Sequence, residues 1–220
     1  MDRVVAASRV THNTGVALAG AAAVAAAVSA GIDGAGLTGA IGLAVAAAAL
    51  AAGRGHWVAA ADVASRITWA TGLVAGLAPG AVIETVYALV GTSLATQESV
   101  PAAFAVLAAS PDDPWLACRI AASLGGDCDT IAAMAGAIGG ACHGLEGFPE
   151  SARRTIASVN DLRLDELAAD LLIVRAAGPG NAAGPGNAAG PGTAAGPGTA
   201  AGPGTAAGPG TAAPADQPVT

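Results

Sequence analysis

Apolar and polar positions divide the chain into long uncharged runs separated by short polar breaks, a pattern that predicts helices and argues against sheets. Val16 to Ala30 and Leu37 to Ala52 are almost wholly Ala, Gly, Val and Leu. The turn Gly31-Ile32-Asp33-Gly34-Ala35-Gly36 separates them, and Thr11 or Asn13 is placed to cap the first. Gly53-Arg54-Gly55-His56 is the next break, with His56 expected exposed near a helix start. Trp57 to Leu77 then reads as an amphipathic helix, with Val58, Ala61, Ile67 and Trp69 among Asp62, Ser65 and Arg66. Pro79-Gly80 ends it, and Ala81 to Val90 forms a further helix. Glu98 and Ser99 read as a helix start with Pro101 in the first turn. Asp112-Asp113, between prolines, makes a turn leading into a helix over Trp115 to Leu124. After Gly125-Gly126, the positions Ile131, Met134, Ala135, Ile138 and Cys142 share one helical face. Pro149 and Glu150 begin a last helical region. Its residues Asp161, Arg163, Asp165 and Glu166 alternate with Leu162, Leu164 and Leu167 as a solvated end.

From Ala176 the hexapeptide Ala-Ala-Gly-Pro-Gly-Asn/Thr repeats six times, to Thr211. The repeat lacks collagen's glycine at every third position and has no residues for a core. A disordered tail over 176–220, a spacer at most, is expected beyond one helical domain over 1–175.

Composition sharpens this picture. Hydrophobic residues are 53% of the chain but aromatics only 3%, so a core must come from closely packed Ala-rich helices. The formal charge is −7 and every basic residue is Arg, which disfavours nucleic acid as a partner. Without lysine there is no Walker-type phosphate loop. Cys118, Cys128 and Cys142 show no Cys-x-x-Cys spacing, which argues against a disulfide framework and against zinc, and a reducing cytoplasm is the simplest setting. Mean hydropathy is +0.58, yet the two Ala-rich runs are short of the roughly 20 strongly apolar residues of a membrane span. Buried helices are expected there, with no membrane partner. No signal peptide is evident after Met1.

The chemistry concentrates at Gly125-Gly126-Asp127-Cys128-Asp129-Thr130. Two glycines allow a tight turn, two carboxylates then stand at a helix start, and up to five side-chain oxygens gather within one turn. Hard divalent cations prefer such ligands. The same residues also suit an ordinary cap, and the spacing alone favours metal only slightly. Gly91-Thr92-Ser93-Leu94-Ala95 is not a nucleophile elbow, because its last position is Ala and no strand precedes it.

Gly125 to Gly144 resembles the C-terminal signature of the ADP-ribosylglycohydrolase family. Ser8-Arg9-Val10-Thr11-His12-Asn13 resembles the family's central Thr-His segment, and Gly91 to Ala103 its Gly-x-x-x-x-x-x-Glu-Ser-Val-Pro segment. The likeness covers about Ser8 to Leu172. It implies an all-α, compact multi-helix bundle of that type, truncated at the N-terminus, and Mg²⁺ or Mn²⁺ in a two-ion site. It implies hydrolysis of the bond between ADP-ribose and a protein side chain or small acceptor. Carried over by position, Asp127, Asp129 and Thr130 are metal ligands, with Cys128 turned away. His12 contacts the ADP-ribose, and Gly91, Ser93 and Leu94 line the adenosine side of its pocket. The family's early Gly-Asp segment, acidic catalytic position and Thr-Asp-Asp metal motif have no counterpart here. Pro111 stands where the Thr would precede Asp112-Asp113. The resemblance is thus to the C-terminal half only, no catalytic residue is assigned, and little or no activity is expected of this polypeptide alone. A separate N-terminal half is an expected partner. The alternatives are a non-catalytic ADP-ribose-binding or structural domain and, last, a membrane hairpin.

Overall fold

A computed structural model describes residues 1–161 and 163–177. The expected tail over 176–220 lies outside the described residues, apart from Ala176 and Ala177. Contacts divide the chain into a unit over Met1–Leu164 and a second over Asp165–Thr220.

The first unit is helical throughout. Its helices are α1 (Asp2–Ser8), α2 (Gly15–Ile32), α3 (Leu37–Ala51), α4 (Val63–Leu73), α5 (Pro79–Thr85), α6 (Thr96–Ala109), α7 (Pro114–Ala122), α8 (Cys128–His143) and α9 (Glu150–Asn160). α5 continues into a π turn over Val86–Val90. Two antiparallel pairs, α2 with α3 and α7 with α8, pack around α6, which also lies along α4. Every residue from Ser99 to Leu107 is buried, as expected of a helix surrounded by others. The rest of the core is small: Ala19, Ala23 and Ala27 of α2 meet Ala40, Ala44 and Ala48 of α3 in one cluster. Alanine faces bring helix axes close, so the core is made mostly of backbone proximity and a few large side chains such as Phe104, Leu18 and Ile67. No strand occurs among the described residues. One isolated bridge joins Thr14 to His56, with the Gly15 N–H on the His56 carbonyl at 2.9 Å and the His56 N–H on the Asn13 carbonyl at 2.7 Å.

Several local expectations are corrected. Thr14, rather than Thr11 or Asn13, caps α2, its Oγ1 accepting from the Ala17 N–H at 3.2 Å. α1 was not legible at all. Trp57 to Ala61 is loop, because His56 is zipped to the start of α2 and α4 begins only when Asp62 caps it, Oδ1 accepting from the Ser65 N–H at 2.7 Å. Trp57 is left 85% exposed. Pro79 opens α5 as well as ending the stretch before it. Pro101 sits inside α6, beyond its first turn. A proline there withdraws the N–H that the Gln97 carbonyl would use; Arg66 Nε donates to that carbonyl at 2.5 Å instead.

α2 is the single described helix long and apolar enough to cross a membrane by length and composition, and half of it is buried inside the protein. α10 (Leu164–Ala177), which belongs to the second unit from Asp165 onward, is exposed along its described length, with Leu171, Leu172 and Ile173 at the surface.

Candidate functional site

The two glycines before α8 do what a tight turn requires. Gly125 and Gly126 have φ of +76° and +63°, and a Cβ on Gly126 would lie 2.2 Å from the Thr92 carbonyl oxygen. Only a glycine lets this turn settle on the buried Thr92. The Asp127 N–H then donates to that same carbonyl at 2.7 Å. The segments 91–94 and 125–130, far apart in the chain, are thereby brought into backbone contact.

Asp127 occupies the cap position of α8, but its carboxylate makes no hydrogen bond to the helix backbone. Its Oδ1 accepts instead from the Thr130 hydroxyl at 2.9 Å. Asp127 and Cys128 are half-buried, while Asp129 and Thr130 are exposed. The Asp129 carboxylate has no hydrogen-bond partner among the described residues. An all-oxygen set at the positive end of a sixteen-residue helix suits a hard cation. The Thr130 hydroxyl keeps its lone pairs when its proton is given to Asp127. The set is also short. No group of three or more His, Cys, Asp or Glu that could hold a metal occurs among the described residues. At most these residues could offer a cation one or two carboxylates, with water completing its shell.

The loop that carries Thr92 is itself held from the other side. Gly91, at φ +89°, lies against Glu98, whose Oε2 would be 2.5 Å from a Cβ there. That Oε2 accepts from the Ser93 N–H at 3.1 Å. Hydrogen bonds from Ser93 hold the Glu98 carboxyl below its ordinary value against the opposing effect of burial, with the charge of Arg66 adding the smallest contribution. Arg66 also donates to the Val90 carbonyl at 2.5 Å and stacks over Trp69, 5.2 Å from the ring centre. Residue spacing did not single out Arg66 or Glu98 as a pair; the proline that frees the Gln97 carbonyl was the available signal.

His12 is exposed, with Nδ1 2.9 Å from the Thr11 hydroxyl. It lines an open, mainly apolar groove of about 530 Å³ floored by α2 at Ala17, Gly20 and Val24, with Thr96 and Met134 opposite. Asp127, Asp129, Thr130, Gly91, Ser93 and Leu94 are not among the groove's lining residues. The structure thus joins the 91–94 loop to the carboxylate turn. His12 shares its groove with Met134, seven positions after Asp127 on α8, and with Thr96, two positions after Leu94 at the start of α6. Ser93 and Leu94 are exposed beside the turn, Leu94 by 84%. Cys118, Cys128 and Cys142 are free thiols. Burial pushes the Cys118 and Cys142 thiols up, which makes them poor nucleophiles.

A model of the ADP-ribosylglycohydrolase family matches residues 1–180. The chain is 35% identical over 173 residues to the uncharacterized protein YegU of Escherichia coli strain K12, covering 78% of this chain and 52% of that one. It is 42% identical over 78 residues to the ADP-ribosylhydrolase ARH3 of Bos taurus, covering 31% of this chain and 21% of that one. The chain thus spans about half the length of the first of these relatives and about a fifth of the second. No solved structure matches it.

Proposed function

The chain belongs to the ADP-ribosylglycohydrolase family, and from that premise we propose that it supplies one share of a metal-dependent site that hydrolyses the bond between ADP-ribose and a protein side chain or small acceptor. The observation that carries this reading is the contact of Gly126 and Asp127 with Thr92. It joins two of the segments that resemble the family, and the Asp127 carboxylate does not cap the backbone of its helix.

Each residue has a role in this proposal. Asp127, Asp129 and Thr130 hold Mg²⁺ or Mn²⁺, two ions in the complete site. Bound there, the cation supplies Lewis acidity toward ribose hydroxyls and a hydrolytic water. His12, steadied by Thr11, takes the ribose or diphosphate of an ADP-ribosylated substrate from the groove side. Gly91, Ser93 and Leu94 form the loop beside the adenosine. Only two carboxylates are present where a binuclear site needs more, so the remaining ligands and the catalytic acid come from a further polypeptide portion. We take this chain to correspond to the C-terminal share, because no Thr-Asp-Asp motif occurs in it. A formal net charge of −7 and three free thiols agree with a cytoplasmic setting without nucleic acid or membrane as partner. The short ligand set also favours a second reading, a non-catalytic ADP-ribose-binding or structural domain.

Calorimetric titration with ADP-ribose, with and without Mg²⁺, tests the site, and turnover of ADP-ribosyl-arginine or ADP-ribosyl-serine tests the reaction. Binding strengthened by Mg²⁺, lost in Asp129→Ala, without turnover by the chain alone, is the expected result. Mg²⁺-dependent binding that survives Asp129→Ala overturns the ligand assignment. Robust turnover by the chain alone overturns its incompleteness.

A further inference from the structure

The loop between the π turn and α6 is clamped at each successive residue. The Val90 carbonyl takes Arg66 at 2.5 Å, and the Gly91 N–H reaches back to the Val86 carbonyl at 2.9 Å. The Thr92 carbonyl takes the Asp127 N–H at 2.7 Å, and the Ser93 N–H is held by Glu98 at 3.1 Å. Four consecutive residues fixed in this way make a strap rather than a mobile loop. The Thr92 carbonyl, through its hydrogen bond from the Asp127 N–H, is where the strap meets the carboxylate turn. Arg66 anchors both sides of the strap, through Val90 and through Gln97, the residue next to Glu98.

From this geometry we infer that Glu98, seated by Arg66, is a positioning residue: it fixes the strap so that the Thr92 carbonyl holds the Asp127 backbone where Asp127 and Asp129 face one cation. The inference rests on the proposed role of those two carboxylates as ligands. Glu98 itself touches neither cation nor substrate. The physical reason for such a device is the brevity of the ligand set. With two carboxylates from one helix start, affinity depends on how little they must reorganise on binding, and turn residues at positive φ are not rigid without an external support.

Two readouts on the full chain separate the strap from the cation site. In Glu98→Ala, exchange of the Asp127 amide without metal accelerates about tenfold, the worth of one charge-assisted hydrogen bond. The buried Ala135 amide of the same helix, as internal reference, is unchanged. Mn²⁺ affinity, read by electron paramagnetic resonance of the free ion, falls by about the same factor. Glu98→Gln, which keeps an oxygen acceptor for the Ser93 N–H, retains the fold and stays within about threefold of wild type in both readouts. An Asp127 amide as slow in Glu98→Ala as in wild type overturns the strap, whatever the metal result. A fast amide with unchanged Mn²⁺ affinity overturns the positioning role. Wild type that binds Mn²⁺ no better than Asp127→Asn removes the cation reading, and the inference with it, while the amide still reports on the strap.

Discussion

Of the helices that begin behind an aspartate, α7 and α8 use that carboxylate differently. At α7, Asp113 Oδ1 accepts from the Leu116 N–H at 2.8 Å, and Pro114 follows at the first helical position. That is a cap whose oxygen is committed to its own helix. At α8, Asp127 holds the equivalent position, yet its side chain leaves the helix N–H groups alone and pairs with the Thr130 hydroxyl. The backbone accounts for the difference. Asp113 has ψ of 82°, whereas the turn at Gly125-Gly126 and the hold of Thr92 set Asp127 at ψ of 45°, away from the extended geometry of a capping residue. An acid at a helix start is therefore a ligand candidate only when something outside the helix keeps it from capping.

The sharpest way to break this contrast is Gly126→Ala. The added Cβ meets the Thr92 backbone at 2.2 Å with φ at +63°, so the turn must lift off. A loss of about 2–4 kcal/mol in denaturant unfolding is expected, in line with strained or overpacked sites. Gly42→Ala, in exposed helix with no neighbour within 4 Å of the new Cβ, gains about 0.5–1 kcal/mol. Equal effects at both positions would dissolve the claim that the turn is docked. Next in size is Asp113→Ala, where loss of a working cap costs about 1 kcal/mol and leaves cation binding untouched. Asp127→Asn should do the reverse, weakening Mn²⁺ binding while the melting temperature scarcely moves. A matching stability loss in both would make Asp127 a cap after all.

The smallest effect concerns pH. The Glu98 carboxyl is held below its ordinary value by its Ser93 hydrogen bonds and Arg66. Its contribution is therefore present above the ordinary carboxylate range and is lost as pH falls through the depressed value. The stability gap between wild type and Glu98→Ala should be full near neutrality and close on acidification below that range. A gap that widens on acidification would mean that the carboxylate is not the stabilising form.

Much of the helical layout can be read directly from the residue pattern, since Ala-rich runs broken by Gly, Pro and Asp leave few alternatives. The α8 face of Ile131, Ala135 and Ile138 is buried as its spacing requires. Where the reading failed, contacts remote in the chain had overruled local preference. Trp57 to Ala61 has a helical pattern, but the Thr14–His56 bridge holds its start in an extended path. Pro101 belongs by propensity in a first turn, but Arg66 satisfies the carbonyl that an interior proline strands.

By itself the sequence determined an alanine-built helical protein, its family, and the turn where two glycines meet two carboxylates, because each is a local property of composition, spacing or motif. Only the tertiary structure decided that Asp127 does not cap its helix, that Thr92 and Glu98 stand behind it, and that His12 opens on a groove the carboxylates do not line. These depend on which backbones approach one another across tens of residues, and with side chains this small, helix packing rather than residue identity sets those approaches.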